Sequence, residues 1–184
     1  SFIPYAEVNQ INELWLGEPT NRVDEIIISN SQKKDILCYQ KMMTEVFTEI
    51  RRVLKDGAFA TVVFHSSKAA IWKAFCMAYS DAGFSVDAAA SLNKEQASFK
   101  QVVSTGSVQG DPVILLSPGN SASSGASSQE ILDDVILNAA FATPLDERRT
   151  YTKYIEKCLE SGVTVDFDAK EVYEYIARKT GAIK

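Results

Sequence analysis

His65 is the only histidine in the chain, and it directly follows an apolar run at positions 58–64. A run of that length, rich in β-branched and aromatic residues, predicts a strand that is covered on both faces. Ligand groups collect at the carboxyl ends of such strands, so His65 is a candidate substrate-binding residue. Ser66 and Ser67 come next and can meet an anion at a helix start. The alternative is a half-exposed histidine beside a helix start, because the sequence reveals no partner for its ring.

Pro4 and Tyr5 begin a second candidate site, and Glu7 and Asn9 follow closely. An aromatic ring beside polar side chains can stack on a planar group and hydrogen-bond to its edge. Glu7 and Asn9 are therefore candidate substrate-binding residues. The alternatives are a plain strand-end aromatic at Tyr5 and solvated positions on a short helix at Glu7 and Asn9.

Composition limits the other kinds of chemistry. The three cysteines, Cys38, Cys76 and Cys158, lack C-x-x-C spacing and lie in amphipathic segments, which is typical of buried free thiols. A single histidine gives a zinc site little support, and we predict no metal. The net charge of −5 at pH 7 argues against a chain that binds a phosphate backbone unaided. No segment approaches the roughly 20 apolar residues that cross a bilayer, so we expect a cytoplasmic protein without membrane contact.

The elements that must position these residues alternate between helix and strand along residues 1–117. Positions 2–5 predict a strand end, 8–16 a helix with one apolar face, and 35–55 a long amphipathic helix. A helix capped by Ser66 or Ser67 and ending near Gly83 is expected next. Strands at 84–92 and 112–116 flank a long polar connector. This order predicts an α/β sandwich with a mainly parallel sheet.

A change of composition marks the expected domain boundary. Positions 118–128 are rich in Ser and Gly and predict a flexible linker. Beyond it, 129–184 predicts a small helical module, with helices at 129–142 and 168–179. Between them, a helix is expected with Thr143 as N-cap and Pro144 at the first helical position. The predicted core face of this middle helix comprises Tyr151, Tyr154, Ile155, Cys158 and Leu159.

Several segments occur in an order that belongs to a known family. Pro4-Tyr5 is followed by Arg-Arg-Val-Leu-Lys-Asp-Gly at 51–57, then by Phe64-His65, Trp72 and Ala-Gly-Phe at 82–84. The set resembles the second half of a class I S-adenosylmethionine-dependent methyltransferase and is most similar to adenine-specific DNA methylases. The resemblance covers about residues 2–117. It implies a partial Rossmann-like sandwich whose last strand, near 112–116, is antiparallel.

The resemblance also implies roles for the first residues. In that family a polar residue, two prolines and an aromatic residue hold the target amine through hydrogen bonds while the ring stacks on the flipped base. Pro4 and Tyr5 match the last two positions, so the resemblance implies that they are catalytic. Phe2 and Ile3 depart from the first two, and Phe2 has no side-chain acceptor.

No two glycines of the chain are separated by a single residue, so the G-x-G turn that approaches a cofactor is absent from it. The resemblance therefore implies that the S-adenosylmethionine site lies mainly outside this chain, in a missing N-terminal half or another subunit. We expect a fragment that is inactive alone and that methylates the exocyclic amine of adenine, contacting DNA through the complete protein. The alternatives are a non-catalytic interaction or scaffold module, and a methyltransferase for RNA or a small molecule.

Overall fold

A computed structural model of the chain describes residues 4–19, 21–92, 110–120, 125–139, 146–179 and 181. Within these ranges it contains seven α-helices, one 3₁₀ turn at Arg22–Asp24 and three strands. In chain order the helices and strands are α1 (Tyr5–Val8), α2 (Gln10–Leu16), α3 (Ile36–Val53), β1 (Ala60–Val63), α4 (Ala69–Asp81), β2 (Phe84–Leu92), β3 (Asp111–Pro118), α5 (Ser128–Ala139), α6 (Glu147–Glu160) and α7 (Ala169–Lys179). None of the described helices is long and apolar enough to cross a membrane.

The described strands form one sheet with the order β1-β3-β2. β3 runs antiparallel to both neighbours, so β1 and β2 point in the same direction on either side of it. The α/β class is confirmed, and the last strand is antiparallel as expected. The prediction of a mainly parallel sheet is wrong for the described strands, because every pairing among them is antiparallel.

Helix α3 follows from local sequence signals. The carboxylate of Asp35 accepts the N–H of Cys38 at 2.8 Å and caps the first turn. Apolar residues then recur every three or four positions, and this stripe buries Tyr39 and Phe47. Leu54 takes an extended conformation and ends the helix. The predicted helix at 35–55 is confirmed.

An aromatic cluster joins α3 and α4 to the sheet. The ring of Phe75 stacks on Phe64 with centroids 4.1 Å apart and meets Phe47 edge to face at 5.7 Å. Trp72 packs edge to face on Phe64 at 4.9 Å. Phe75 is fully buried, so its surroundings are packed on every side.

Helices α5, α6 and α7 pack into the same core as the sheet. Tyr151, Tyr154 and Leu159 of α6 belong to one buried cluster with Ile114 and Leu116 of β3. The predicted core face of this helix is confirmed, since all of its five residues are buried. Division into a domain at 1–117 and a module at 129–184 stays a prediction. The described parts of the two share a hydrophobic core.

Several local predictions near the start of the chain are wrong. Tyr5 begins α1 and does not end a strand; Phe2 and Ile3 lie outside the described residues. The helix predicted at 8–16 is present as α2 at Gln10–Leu16, but its apolar side chains are exposed. These side chains are those of Val8, Ile11, Leu14 and Trp15.

Other corrections concern the strand β1 and two helix starts. β1 spans only Ala60–Val63 with alternating exposure, so it is not covered on both faces. Helix α4 starts after Lys68, and neither Ser66 nor Ser67 is its N-cap. Helix α6 starts at Glu147 with Asp146 as N-cap. The predicted cap at Thr143 and Pro144, like connector positions 93–109 and linker positions 121–124, lies outside the described residues.

Replacing Phe75 by Ala is expected to destabilise the chain by about 3 to 5 kcal/mol, because the change leaves a cavity among the rings of Phe47, Phe64 and Trp72. Urea unfolding followed by circular dichroism measures the loss. The matched control is Phe59→Ala, since that ring is 52% exposed. Its expected effect is within about 0.5 kcal/mol. Equal losses from the two variants would contradict this core.

Candidate functional site

The pairing of β1 with β3 brings His65 opposite Asp111. Val63 faces Val113 in the register, and the N–H of Phe64 donates to the carbonyl of Pro112 at 3.1 Å. The next pair along two antiparallel strands is His65 and Asp111. Side chains directly opposite each other lie on the same face of a sheet. The register therefore accounts for their contact.

The imidazole and the carboxylate lie at ion-pair distance, with Nδ1 of His65 3.4 Å from Oδ1 of Asp111. The His65 side chain is 36% exposed and the Asp111 side chain 15%. The carboxylate of Asp111 is thus the more buried group, and the ring of His65 is at the surface. Within the described residues, the other ring nitrogen, Nε2, has no hydrogen-bond partner. A carboxylate at Nδ1 favours the tautomer in which Nε2 accepts a proton.

The turn after His65 is held by a contact within it and by one contact each from α4 and α7. The hydroxyl of buried Ser66 accepts the N–H of Lys68 at 3.0 Å. The indole N–H of Trp72 donates to the carbonyl of Ser66 at 2.9 Å. From α7, the N–H of Ala169 donates to the carbonyl of Ser67 at 3.0 Å. His65 therefore stands on a fixed support, as a binding residue requires.

Asp168 caps α4 from a distant part of the chain. Its Oδ1 accepts the N–H of Ala69 at 2.7 Å, and its Oδ2 pairs with Nζ of Lys68 at 2.7 Å. Burial raises the pKa of the Asp168 carboxyl, but the hydrogen bonds from Lys68 and Ala69 and the lysine charge outweigh it, so the pKa lies below its usual value. This contact ties the start of α7 to the turn that carries His65.

One face of the sheet, here called the open face, has no helix packed on it among the described residues. Its side chains form three rows across β2, β3 and β1. The core lies on the other face, with Ile114 and Leu116 fully buried. The rows of the open face are Leu92, Asp111 and His65; Ala90, Val113 and Val63; and Ala88, Leu115 and Thr61. The His65–Asp111 pair is the polar end of an otherwise mostly apolar surface.

The outer edge of β1 is unpaired in the described sheet. Val62 and Phe64 direct their N–H groups to β3, so Thr61 and Val63 direct theirs outward. Natural edge strands are shielded by charges, prolines or bulges. β2 has a bulge at Asp87, whereas β1 has none of these features. β1 is a short edge strand of four residues without these features.

The second candidate site lies on α1. Tyr5 is 55% exposed and has no aromatic contact among the described residues. Oε1 of Glu7 accepts the hydroxyl of Ser31 at 3.0 Å and lies 4.0 Å from the guanidinium of Arg22. Glu7 thus fixes α1 to the loop at 22–34. That contact occupies the carboxylate predicted to bind substrate.

The other two candidates, Pro4 and Asn9, take part in the backbone hydrogen bonds of α1. The carbonyl of Pro4 accepts the N–H groups of Glu7 and Val8 at 3.0 and 2.9 Å. Both of its lone pairs are engaged, so it has none left for a substrate amine. Exposed Asn9 joins α1 to α2 through its backbone. Within the described residues, no hydrogen bond or ion pair connects these residues to His65.

Helix α2 and the last residue of α1 expose a stripe of apolar side chains, and Trp15 is 87% exposed. The stripe comprises Val8, Ile11, Leu14 and Trp15, and Leu16 extends it. Exposed apolar patches of this kind mark surfaces that contact another polypeptide. The nearby acidic side chains Glu13 and Glu18 make it a poor surface for a nucleic-acid backbone.

A shallow groove of about 500 Å³ runs along α3. Its floor is apolar, and carboxylates at Asp24, Glu45 and Glu49 border it. Glu49 is paired with Arg52 at 2.8 Å. The acidic border disfavours the binding of phosphate groups in this groove.

Two other predictions concern cysteines and metals. All three cysteines are free; Cys158 is fully buried, whereas Cys38 and Cys76 are partly exposed. Burial raises the pKa of the Cys158 thiol to about 12, which excludes a reactive thiolate there. Among the described residues, no group of three or more potential ligands surrounds a common point that a metal ion could occupy.

Sequence reasoning missed Asp111 and Asp168. Asp111 directly precedes the predicted strand at 112–116, but only the register against β1 pairs it with His65. Asp168 has the sequence signature of an N-cap for its own helix, where Glu171 accepts its N–H. No local signal reveals that its side chain caps α4, 99 residues away.

Comparisons with protein-family models, curated proteins and solved structures found no match to this chain.

Replacing Asp168 by Ala is expected to destabilise the chain by about 1 kcal/mol, the usual effect of losing a helix cap. Asp168→Asn is the matched control, because it keeps an oxygen for the N–H of Ala69 and removes only the charge opposite Lys68. Since the folded pKa of Asp168 is lowered, its charge stabilises the fold above the unfolded value near 3.9. This contribution is lost as the pH falls through the lowered pKa.

Urea unfolding of the three proteins at pH 7 and at about pH 3 measures both effects. The difference between the native chain and Asp168→Asn is expected to shrink at the lower pH. A difference that grows on acidification would contradict the assignment.

Proposed function

We propose that this chain is part of an S-adenosylmethionine-dependent methyltransferase that methylates the exocyclic amine of adenine in DNA. The chain supplies the carboxyl-terminal part of the sheet and the residue that stacks on the target base. Another part of the complete protein, or another subunit, supplies the cofactor site. The chain alone is inactive.

The strand order and strand directions of the sheet are the observation that supports this proposal. Two strands of the same direction flank a reversed last strand, the arrangement that a mainly parallel sheet gives when its final strand is inserted antiparallel. Such a sheet continues at the free edge of β1, and in a mainly parallel sheet helices cover the open face as well. The order of the long helix α3, β1 and α4 also follows the resembled family.

The cofactor and the DNA both need groups that this chain lacks. The glycine-rich turn that approaches S-adenosylmethionine is absent from the sequence. With a net charge of −5, the chain does not supply the basic surface that holds DNA. Both functions therefore belong to other parts of the complete protein.

Tyr5 is the residue of this chain best suited to contact the base. Its ring is more than half exposed at the start of α1, and a flipped base can stack on such a ring. Pro4 precedes it and acts by fixing the backbone, because its carbonyl is already engaged. Phe2 offers no side-chain acceptor for the amine, which leaves that role to another residue.

A second candidate is a non-catalytic module that binds another protein. The exposed stripe of α2 favours it, because Trp15 and its apolar neighbours are uncovered. Phe2 and Ile3, in place of the polar and proline positions, also favour it. Methylation of RNA or of a small molecule is a further alternative, since a fold does not determine a substrate.

Calorimetric titration of S-adenosylmethionine separates the two candidates. The longest native gene product that contains this chain is expected to bind the cofactor, and the chain alone is not. Binding by neither protein would favour the non-catalytic module. Binding by the chain alone would contradict the assignment of the cofactor site to other parts.

Replacing Tyr5 by Ala in the complete protein is expected to weaken DNA binding and to lower adenine methylation at limiting DNA, because the flipped base loses its stacking partner. The loss of stacking corresponds to about 1 to 3 kcal/mol, or roughly 5- to 150-fold in DNA affinity. Tyr5→Phe keeps the ring and serves as the control. Transfer of labelled methyl groups to duplex DNA measures the rate. Unchanged methylation by Tyr5→Ala would exclude this role.

A further inference from the structure

We propose that the groove along α3 binds a basic amphipathic helix of another polypeptide. The groove has a volume of about 500 Å³ and runs along the outer side of α3. The helix packs into the core through other residues, among them Phe47, whose ring contacts Phe75 of α4. The binding role is additional to the proposed methyltransferase function and does not depend on it.

The floor of the groove is apolar and partly uncovered. Its residues on α3 recur every three or four positions, so they share one face of the helix. Val46 is 38% exposed and Val53 is 65% exposed. The apolar residues that line the groove are Ile26, Met42, Val46, Ile50 and Val53. Apolar side chains left at the surface along one helix face are typical of a site for a second helix.

The length of the floor matches a helical partner. Met42 and Val53 bound its part on α3, and at a rise of 1.5 Å per residue they lie about 17 Å apart along the helix. A partner helix of about three turns covers that distance, and its side chains can pack between those of α3. A partner strand would need free backbone groups, whereas the backbone groups inside α3 bond to one another.

Carboxylates border the floor and select the charge of the partner. Asp24, Glu45 and Glu49 line the groove. Glu49 is paired with Arg52 at 2.8 Å, whereas Asp24 and Glu45 have no ion pair within the described residues. Lys or Arg side chains beside the apolar face of a partner helix would meet these carboxylates. Complementary charge of this kind favours a basic partner over an acidic one.

The same border disfavours other occupants. In a symmetric dimer formed through this groove, the acidic borders of two copies would face each other, and like charges repel. Nucleic acids and anionic lipid surfaces are disfavoured for the same reason. A small molecule fits poorly, because the groove is shallow and small-molecule sites enclose most of their ligand.

Calorimetric titration of the chain with a model peptide tests the site. The probe, called the Lys peptide, has about 14 residues of Leu and Lys, with Leu at helical spacing on one face. A second peptide has Glu in place of every Lys and keeps the apolar face. We expect the Lys peptide to bind about tenfold more tightly than the Glu peptide, or more. The longest native gene product that contains this chain is expected to bind the Lys peptide as well.

Two substitutions localise the binding to the groove. Val46→Asp puts a charge into the floor, and Glu45→Lys reverses a charge at the border. Each is expected to weaken binding of the Lys peptide about tenfold, as at a central interface residue. The matched controls, Leu137→Asp and Asp134→Lys, make the same kinds of change at exposed positions of α5. They are expected to leave the affinity within about twofold, and circular dichroism checks that every variant is folded.

Several outcomes would overturn the site. They are equal binding of the two peptides, native affinity in Val46→Asp and Glu45→Lys, and equal losses in the α5 controls. Binding by the chain but not by the longest gene product would show that a part of the same protein covers the groove. Self-association of the chain that Val46→Asp abolishes, measured by sedimentation, would assign the groove to a second copy. Failure of that gene product to bind S-adenosylmethionine would overturn the methyltransferase proposal alone.

Discussion

The pairing of β1 with β3 is the constraint on which the rest of the structure depends. Its register turns Ile114 and Leu116 toward the helices and Val113 and Leu115 toward the open face. The same register sets His65 opposite Asp111. A shift of β1 by one residue would turn His65 toward the core face, away from Asp111, and would turn Val62 and Phe64 out of the core. The core and the candidate site are therefore two results of one alignment of strands.

Local signals predicted the elements better than their arrangement. The helix at 35–55 and the strand at 84–92 follow from apolar periodicity and from turns at Gly57 and Gly83, where positive φ favours glycine. The sheet direction was not predictable in this way, because an apolar run is the same in a parallel and an antiparallel strand. For the same reason, sequence reasoning found His65 and missed Asp111. The partner depends on a register between segments 46 residues apart in the sequence (65 and 111).

The helices after position 128 do more than extend the chain. Their buried tyrosines fill the core face of the sheet, and Asp168 and Ala169 hold the turn that carries His65. This leaves the open face uncovered among the described residues, and the described sheet has unpaired outer edges at β1 and β2. An apolar face beside an unpaired edge is the kind of surface on which another polypeptide can pack. Under the methyltransferase proposal, the polypeptide that packs here is the cofactor-binding part of the protein.

The central claim is that the sheet continues beyond β1, and amide hydrogen exchange at this strand tests it most directly. The N–H groups of Val62 and Phe64 point to β3, and those of Thr61 and Val63 point to the free edge. In the chain alone, we expect fast exchange at Thr61 and Val63 and slow exchange at Val62. In the longest gene product, all three are expected to exchange slowly. Fast exchange at Thr61 and Val63 in a gene product that binds S-adenosylmethionine would contradict the account.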